Sequence, residues 1–187
     1  MPFTTCDIPG LIIIEPNVFA DSRGYFFEAY NESVFRQHGV DYRFVQDNQS
    51  KSSYGVLRGL HYQLNPHAQA KLVRVLDGRI LDVAVDIRKG SPTYGRHFSI
   101  ELSSDNQKQL LVPEGFAHGF SVLSETAVVL YKCNNLYHKQ SEAGIRYDDP
   151  FLNIDWKIEK GSALVSDKDR VLPEFAGCEN NFEYRHG

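Results

Sequence analysis

The sequence has few cysteines and no long run of apolar or like-charged residues, and each shortage argues against a class of protein. Its three cysteines, Cys6, Cys133 and Cys178, are far apart and odd in number, so we expect no disulfide framework. No tract of five like charges occurs and the net charge is −4, which argues against a nucleic acid or a membrane as the partner. The apolar run Leu11–Ile14 is too short for a signal sequence or a membrane span, so we expect a soluble, cytoplasmic protein.

The sequence is instead rich in short alternating segments separated by turns. Apolar residues make up 42% of the chain, enough for the core of one domain. Arg79–Arg88 alternates most cleanly, with leucine, valine and isoleucine on one face. Further strands are predicted over Leu11–Glu15, Tyr25–Tyr30, Tyr42–Asn48, His97–Leu102, Gln109–Pro113, His118–Leu123 and Thr126–Cys133. Short strands at this spacing are typical of a β-sandwich or barrel rather than of βαβ units.

We expect a single domain over residues 1–187, organised in three parts. Residues 1–50 would hold leading strands and one short helix, because Asn31 is a good N-cap for Glu32–His38 and Gly39 suits the position after the helix. Residues 51–145 would form the β core. Residues 146–187 lose the alternation and would form short helical turns packed on that core.

The stretch Gly55–Gly78 contains the residues that point most clearly to a functional site. Its two terminal glycines and His61 occupy the spacing of the first metal-binding motif of the cupin family, and Pro113–His118 matches the second motif. Gln63 stands where that motif has a second histidine, and Lys71 stands where it has a glutamate. A transition metal prefers imidazole and carboxylate ligands, so an ammonium group removes a ligand and repels the ion. The sequence therefore predicts a cupin-like barrel in which a fixed cation replaces the metal.

Both halves of this stretch are predicted to be strands. If they pair with matching parity, His61, Gln63 and Lys71 share one face. Arg58 lies three residues before His61, so a regular strand would direct it to the other face. A bulge at Gly59 would correct its direction.

A series of short motifs runs through nearly the whole chain. They are Asp21–Glu28, Gln46–Ser50, Gly55–Gln63, Ala68–Arg74, Asp82–Asp86, Ser91–Gly95, Pro113–Phe120, Tyr131–Lys132, Gly144–Arg146, Asp148–Pro150 and Ser166–Asp169. Each motif is weak alone, but together and in this order they closely resemble the dTDP-4-dehydrorhamnose 3,5-epimerase family. The chain departs from that family at Gln49, Ala70 and Cys133–Asn134, where it usually has His, Gly and Thr-Thr. These departures flank the site and bear on fine substrate preference.

The resemblance implies a mainly β, cupin-like double-stranded β-helix, or jelly roll, with short helices in its N- and C-terminal parts. It also implies an isomerase that uses no metal and no cofactor on a dTDP-4-keto-6-deoxyhexose. The implied reaction inverts C3 and C5 of dTDP-4-dehydro-6-deoxy-D-glucose to give dTDP-4-dehydro-L-rhamnose. Both carbons flank the C4 ketone, so their protons are acidic. Inversion then needs a base on one face, a cation at the C4 oxygen and an acid on the opposite face.

Four residues are predicted to carry out this chemistry. His61 is the expected base, because imidazole exchanges a proton near neutral pH. Asp169 would orient His61, with Asp167 as the alternative partner. Lys71 is assigned to the enolate oxygen and Tyr131 to the acid. Each residue alone would more often be structural, and the cupin spacing and the family match favour the catalytic assignment.

The remaining assignments concern substrate binding. Arg23 and Arg58 are the diphosphate candidates, because guanidinium groups bind phosphate oxygens in pairs. The resemblance adds contacts to the base and the sugar from Phe26, Glu28, Gln46, Asn48, His118, Tyr137, Glu142 and Lys168, with Tyr137 stacked on thymine. In the family the Arg23–Glu28 strand reaches the neighbouring subunit, which implies a homodimer with shared sites. Tyr25, Phe26 and Phe27 would make this an aromatic edge strand prone to aggregation if left unpaired, which is compatible with such a dimer.

Three other functions fit the sequence less well. A 3-only or 5-only epimerase acting on a related dTDP-4-keto-6-deoxysugar would share the same base and acid. A metal-dependent cupin would need the ligands that Gln63 and Lys71 replace. A non-catalytic jelly roll would bind a sugar nucleotide and turn nothing over.

Overall fold

The structure is a computed structural model that describes residues 1–159 and 161–184, and most of its strands lie in two facing sheets. The first sheet contains β1 (Phe3–Thr5), β2 (Ile12–Ile14), β5 (Gln46–Ser53), β7 (Lys71–Asp77), β10 (Gln109–Val112) and β12 (Thr126–Cys133), in the order β1–β2–β10–β7–β12–β5. The second contains β6 (Val56–Gln63), β8 (Arg79–Asp86), β9 (His97–Ser103), β11 (Phe116–Val122) and β13 (Glu142–Gly144), in the order β13–β6–β11–β8–β9. A short β14 (Leu164–Val165) pairs with β6 in parallel.

The other elements are few and short. Strands β3 (Phe19–Asp21) and β4 (Gly24–Phe26) form a separate hairpin. The helices are α1 (Glu32–Gln37) and α2 (Asp167–Arg170), and 3₁₀ turns span Lys139–Ser141 and Phe175–Gly177. The prediction of a mainly β fold with short helices near both ends is confirmed. Within the described part of the chain, no helix is long and apolar enough to cross a bilayer.

Apolar side chains pack in three layers around the two sheets. The central layer lies between them and includes Val73, Val75, Ile80, Ala84, Leu110, Phe120 and Val129. Trp156, Phe175 and Phe182 of the C-terminal segment cover the outer face of the second sheet. On the other side, Phe35 of α1 packs with Leu72 and Leu111 of the first sheet. Burial on both faces explains why the middle strands carry few polar residues.

Strand β8 shows this double burial most clearly. Leu81, Val83 and Val85 pack under the C-terminal segment. Ile80 and Ala84 face the central layer. Asp82 and Asp86 share the parity of Ile80 and Ala84 and are fully buried. A buried carboxylate is costly unless it is paired, so each of these two aspartates needs a partner inside the fold.

Several local predictions hold and others need correction. The Asn31 side chain caps α1 by accepting from the backbone N–H groups of Ser33 and Val34. The expected strand Tyr25–Tyr30 is wrong beyond Phe26, where the β3–β4 hairpin ends. The expected strand Tyr42–Asn48 begins only at Gln46 and continues to Ser53.

The two halves of Gly55–Gly78 do not pair with each other, so the condition for placing His61, Gln63 and Lys71 on one face of a sheet is not met. Strand β6 belongs to the second sheet and β7 to the first, so the two strands face each other across the interior. The bulge at Gly59 is confirmed. Along β6 and β11 the register shifts between the His61–His118 pair and the Arg58–Phe120 pair. Gly59 has a φ of +124°, and a Cβ there would lie 2.5 Å from the Cα of Gly119, so only glycine fits.

Candidate active site

Two cavities between the sheets meet at three of the predicted site residues. The first has a volume of about 380 Å³ and the second about 310 Å³, the size range of small-molecule sites. Both are lined by His61 from β6, Lys71 from β7 and Tyr131 from β12. Since β6 lies in one sheet and β7 and β12 in the other, these side chains reach the junction from opposite walls.

His61 is held by a buried carboxylate from the C-terminal segment. Its Nε2 lies 2.6 Å from Oδ1 of Asp169, and the His61 side chain is 31% exposed. Burial would raise the pKa of Asp169, but hydrogen bonds from His61, from the Gly59 backbone N–H and from Ser166 outweigh it, so the pKa lies below its usual range. Asp169 is therefore an acceptor only, and His61 must carry its proton on Nε2. This leaves the lone pair of Nδ1 available as a base.

The short helix α2 decides which aspartate makes this contact. Ser166 caps the helix by accepting from the backbone N–H of Asp169. Asp169 is buried against β6, whereas Asp167 is exposed. Of the two aspartates left open by the sequence, Asp169 is the one that contacts His61. Its catalytic role stays a prediction.

Lys71 is half-buried at the junction of the two cavities. Burial lowers the pKa of its ammonium group, and the negative charges of the Asp82 and Glu142 carboxylates act in the opposite direction. Its Nζ lies 6.0 Å from the centroid of the Tyr131 ring. A lysine with a lowered pKa gives up or shares its proton more readily than a surface lysine does.

Tyr131 is half-buried on the wall opposite His61. Burial raises the pKa of its hydroxyl, and Arg58 nearby lowers it by a smaller amount. The phenol therefore stays protonated at neutral pH and can act as a weak acid. Only a strongly basic partner, such as an enolate carbon, would take its proton.

His118 lies next to His61 on the paired strand β11. Its Nε2 lies 2.8 Å from Oδ1 of Asp82, and both side chains are buried. The two histidines are directly opposite each other in the β6–β11 register. The site thus contains two His–Asp pairs side by side, one open to the cavity and one deeper.

The second cavity brings together four of the residues predicted for base and sugar contacts, Gln46, Asn48, Tyr137 and Glu142. Tyr137 donates from its hydroxyl to Glu142, and Glu142 also pairs with Lys168. These hydrogen bonds outweigh burial and hold the pKa of Glu142 below its usual range. Gln46 and Asn48 line the same cavity, and Gln46 accepts from the backbone N–H of Tyr137.

The two arginines predicted to bind the diphosphate lie in different parts of the structure. Arg58 lines the first cavity and donates to Ser52, so the Gly59 bulge does bring it to the side of His61. Arg23 lies in the β3–β4 hairpin, where it is exposed and paired with Asp21. Phe26 and Glu28 are exposed in the same region, and all three are outside the lining of the two cavities.

Sequence reasoning missed several lining residues. Ser50 and Ser166 line the first cavity and Gln69 the second. All three lie within motifs that carried the family resemblance, so those motifs contained the signal. The side-chain amide of Gln63 has a structural role. It donates to the backbone carbonyls of His67 and Leu136 and accepts from the backbone N–H of His138, which fixes the loop before the second cavity.

The residues at the cavity junction do not form a metal centre of the usual kind. Among residues 1–159 and 161–184, no three His, Cys, Asp or Glu side chains are grouped as metal ligands. His61 and His118 each have Nε2 directed at an aspartate rather than towards a shared point. The absence of a metal requirement stays a prediction.

The two sheets and their interior site define a cupin-like jelly roll equipped for acid–base chemistry on a small molecule. The particular group follows from comparison. The chain belongs to the dTDP-4-dehydrorhamnose 3,5-epimerase family, whose model matches residues 5–177.

Individual relatives agree over nearly the whole chain. The dTDP-4-dehydrorhamnose 3,5-epimerase of Shigella flexneri is 54% identical over 164 residues, which cover 87% of this chain and 90% of the relative. The crystal structure of the Elizabethkingia anophelis enzyme of the same name has a TM-score of 0.90 at 53% identity, covering 94% of this chain and 97% of that one. A Legionella pneumophila dTDP-6-deoxy-D-glucose-3,5-epimerase, solved with dTDP-4-keto-L-rhamnose, has a TM-score of 0.95 at 44% identity and covers 99% of both chains. The predicted jelly roll and epimerase family are confirmed.

Proposed function

We propose that this protein inverts C3 and C5 of dTDP-4-dehydro-6-deoxy-D-glucose and releases dTDP-4-dehydro-L-rhamnose. The observation that carries the proposal is the position of His61 and Tyr131 on opposite sheets around one cavity junction, with Lys71 beside them. Inversion needs proton removal from one face of a carbon and proton return to the other, and opposed walls supply both. The ligand of the Legionella relative supports the substrate class.

The reaction begins at His61. Its Nδ1 takes the proton from a carbon next to the C4 ketone, and the electron pair of the broken C–H bond moves into an enolate. The imidazole becomes positively charged, and the Asp169 carboxylate at 2.6 Å stabilises that charge. Because Asp169 is buried and keeps a low pKa, it stays ionised throughout.

The negative charge of the enolate collects on the C4 oxygen, where Lys71 acts. A half-buried ammonium is a strong donor to an oxyanion, because little water competes for it. Tyr131 then donates its hydroxyl proton to the same carbon from the opposite wall. Exchange with solvent restores the phenol and the neutral imidazole, and the cycle repeats at the second carbon.

The nucleotide half would occupy the second cavity and its rim. Tyr137 is half-exposed there, free on one face to stack on thymine, and Gln46 and Asn48 supply amide groups for base and sugar. Arg58 is placed to bind the diphosphate from the first cavity. His118, Glu142 and Lys168 complete the contacts to the sugar.

We also propose a homodimer in which each β3–β4 hairpin completes the site of the partner protomer. Phe19 and Phe26 on this hairpin are 67% and 70% exposed, which is unusual for large aromatic side chains. Arg23 and Glu28 lie outside the cavities of their own chain. A dimer would cover the aromatic rings and bring Arg23 to the diphosphate.

The reaction is tested by turnover in D₂O. With dTDP-4-dehydro-6-deoxy-D-glucose as substrate, NMR of the product should show deuterium at both C3 and C5 and inversion at both carbons. Treatment with a chelator should leave the rate unchanged. Deuterium at one carbon alone would favour a single-site epimerase, and loss of activity with chelator would favour a metal-dependent cupin.

The shared site is tested by mixing two inactive variants. Arg23→Ala and His61→Ala should each lose turnover. If the hairpin serves the partner's site, a mixed dimer has one site free of both changes, so mixing should restore part of the activity. No recovery after subunit exchange, with mixed dimers verified by mass, would contradict the arrangement.

A further inference from the structure

We propose that Asp82 is a positioning residue of the reaction centre: its buried carboxylate fixes the proton of His118, which lines the first cavity. The inference rests on the proposed function and extends it to a residue that lines neither cavity. It starts from an unusual feature of β8. Oδ2 of Asp82 is buried and finds no hydrogen-bond partner among the described residues.

A buried carboxylate oxygen without a partner calls for an explanation. The second buried aspartate of the strand, Asp86, shows the ordinary solution. Its oxygens accept from Arg88, Ser91 and Thr93. Asp82 is equally buried, but among the described residues its carboxylate hydrogen-bonds only to His118. Leaving a buried carboxylate half-satisfied costs stability, so such a group is retained where its charge has a use.

The first use is to fix the tautomer of His118. A carboxylate can only accept, so Nε2 of His118 carries the proton that it donates to Asp82 at 2.8 Å. The lone pair of Nδ1 is then available on the other side of the ring, and His118 lines the first cavity. An orienting carboxylate on a functional histidine serves this purpose in other sites.

The second use concerns Lys71. The ionisable groups that act on it or line the same cavities are Arg58, His61, Tyr62, Asp82, His118, Tyr131, Cys133, Tyr137, Glu142, Lys168 and Asp169. Burial raises the pKa of the Cys133 thiol, so it is neutral at pH 7. Glu142 is already paired with Lys168, and Asp169 with His61. Oδ2 of Asp82 has no hydrogen-bond partner among the described residues, and the charge of this carboxylate opposes the loss of the Lys71 ammonium proton that burial favours.

The test replaces Asp82 by Asn in the full chain, with Asp86→Asn as the matched control on the same strand and face. Asn keeps the shape and removes the charge. We expect kcat of Asp82→Asn to fall about 10- to 100-fold at neutral pH, the range typical for loss of a carboxylate that orients a metal-bound histidine. In a plot of kcat against pH, the alkaline limb of this variant should move to lower pH, because Lys71 loses its proton more easily than in the unmodified protein. The affinity for dTDP, which has no ketone, should stay within about threefold.

The control variant Asp86→Asn should lower the melting temperature and leave the alkaline limb of the kcat–pH plot in place.

A second readout does not depend on turnover. Long-range ¹H–¹⁵N NMR of the histidine rings should place the His118 proton on Nε2 in the unmodified protein, and Asp82→Asn should weaken that preference. A His118 proton on Nδ1, or an unchanged alkaline limb with an unchanged kcat in Asp82→Asn, would overturn the inference. If the unmodified protein did not epimerise the keto sugar, the proposed function would fail, and the ring NMR would decide the role of Asp82 by itself.

Discussion

Replacing Asp169 by Asn tests the base more sharply than removing His61 itself, because the substitution keeps the size of the side chain and changes only its charge and donors. In the present structure the carboxylate lies 2.6 Å from His61 Nε2 and accepts from the backbone N–H of Gly59 at 3.3 Å. An amide at this place can donate to His61, which would leave the proton of the imidazole on Nδ1. The nitrogen that faces the substrate would then be unable to act as a base.

The size of the effect follows from the geometry. Two opposite charges about 4 Å apart interact by about 4 kcal/mol at an effective dielectric constant of 20. His61 is 31% exposed, and water screens part of this energy, which leaves about 3 kcal/mol for the imidazolium formed during proton removal. Each 1.36 kcal/mol is a factor of ten in rate, so kcat should fall by at least about 100-fold. The affinity for dTDP should change little.

The assay is steady-state epimerisation together with C3 and C5 proton exchange, and Asp167→Asn is the control. Asp167 is in the same helix but exposed, so its variant should retain nearly full turnover. Equal activity of Asp169→Asn and the unmodified protein, or a loss confined to Asp167→Asn, would refute the assignment.

Stability gives an independent check. Because the folded pKa of Asp169 is lowered, its ionised form stabilises the protein above the ordinary aspartate pKa of about 3.9, and this contribution is lost as the pH falls through the folded pKa. The unmodified protein should therefore be more stable than Asp169→Asn at neutral pH, and the difference should shrink in acid.

Three further changes probe the same centre. His61→Ala should abolish turnover and keep the dTDP affinity within a few-fold, as isothermal calorimetry would show; persistent turnover would remove His61 from the role of base. Tyr131→Phe should still exchange the C5 proton in D₂O but invert poorly, whereas full epimerisation by this variant would show that another group is the acid. Gly59→Ala should lower stability and turnover together, because its Cβ would lie 2.5 Å from the Gly119 backbone; a melting temperature equal to that of the unmodified protein would show that the two strands can separate without penalty.

Some of this architecture could be read from the sequence because its cause is local. The alternation of Arg79–Arg88 predicts β8, and the Asn31 side chain predicts the start of α1. The need for a bulge at Gly59 followed from a count of residues between Arg58 and His61. Each of these features depends on neighbours within a few positions, where strand and helix geometry leave few alternatives.

Other features depend on contacts that no local pattern encodes. Parity gives the face of a strand but not its sheet, so the placement of β6 and β7 on opposite walls could not be derived. The partners of His61 and His118 are 108 and 36 residues away in the chain. The choice of Asp169 over Asp167 depends on how α2 docks against β6. Arg23, Phe26 and Glu28, all predicted to contact the substrate, are outside the two cavities of their own chain, and the proposed second protomer would place them there.

The most direct test of the account is a crystal structure of the protein with a bound dTDP-4-keto sugar. The account predicts the C4 oxygen within about 3 Å of Lys71 Nζ, with His61 and Tyr131 on opposite faces of the sugar ring. A sugar bound with its ketone away from Lys71, or a metal ion coordinated by His61 and His118, would contradict it.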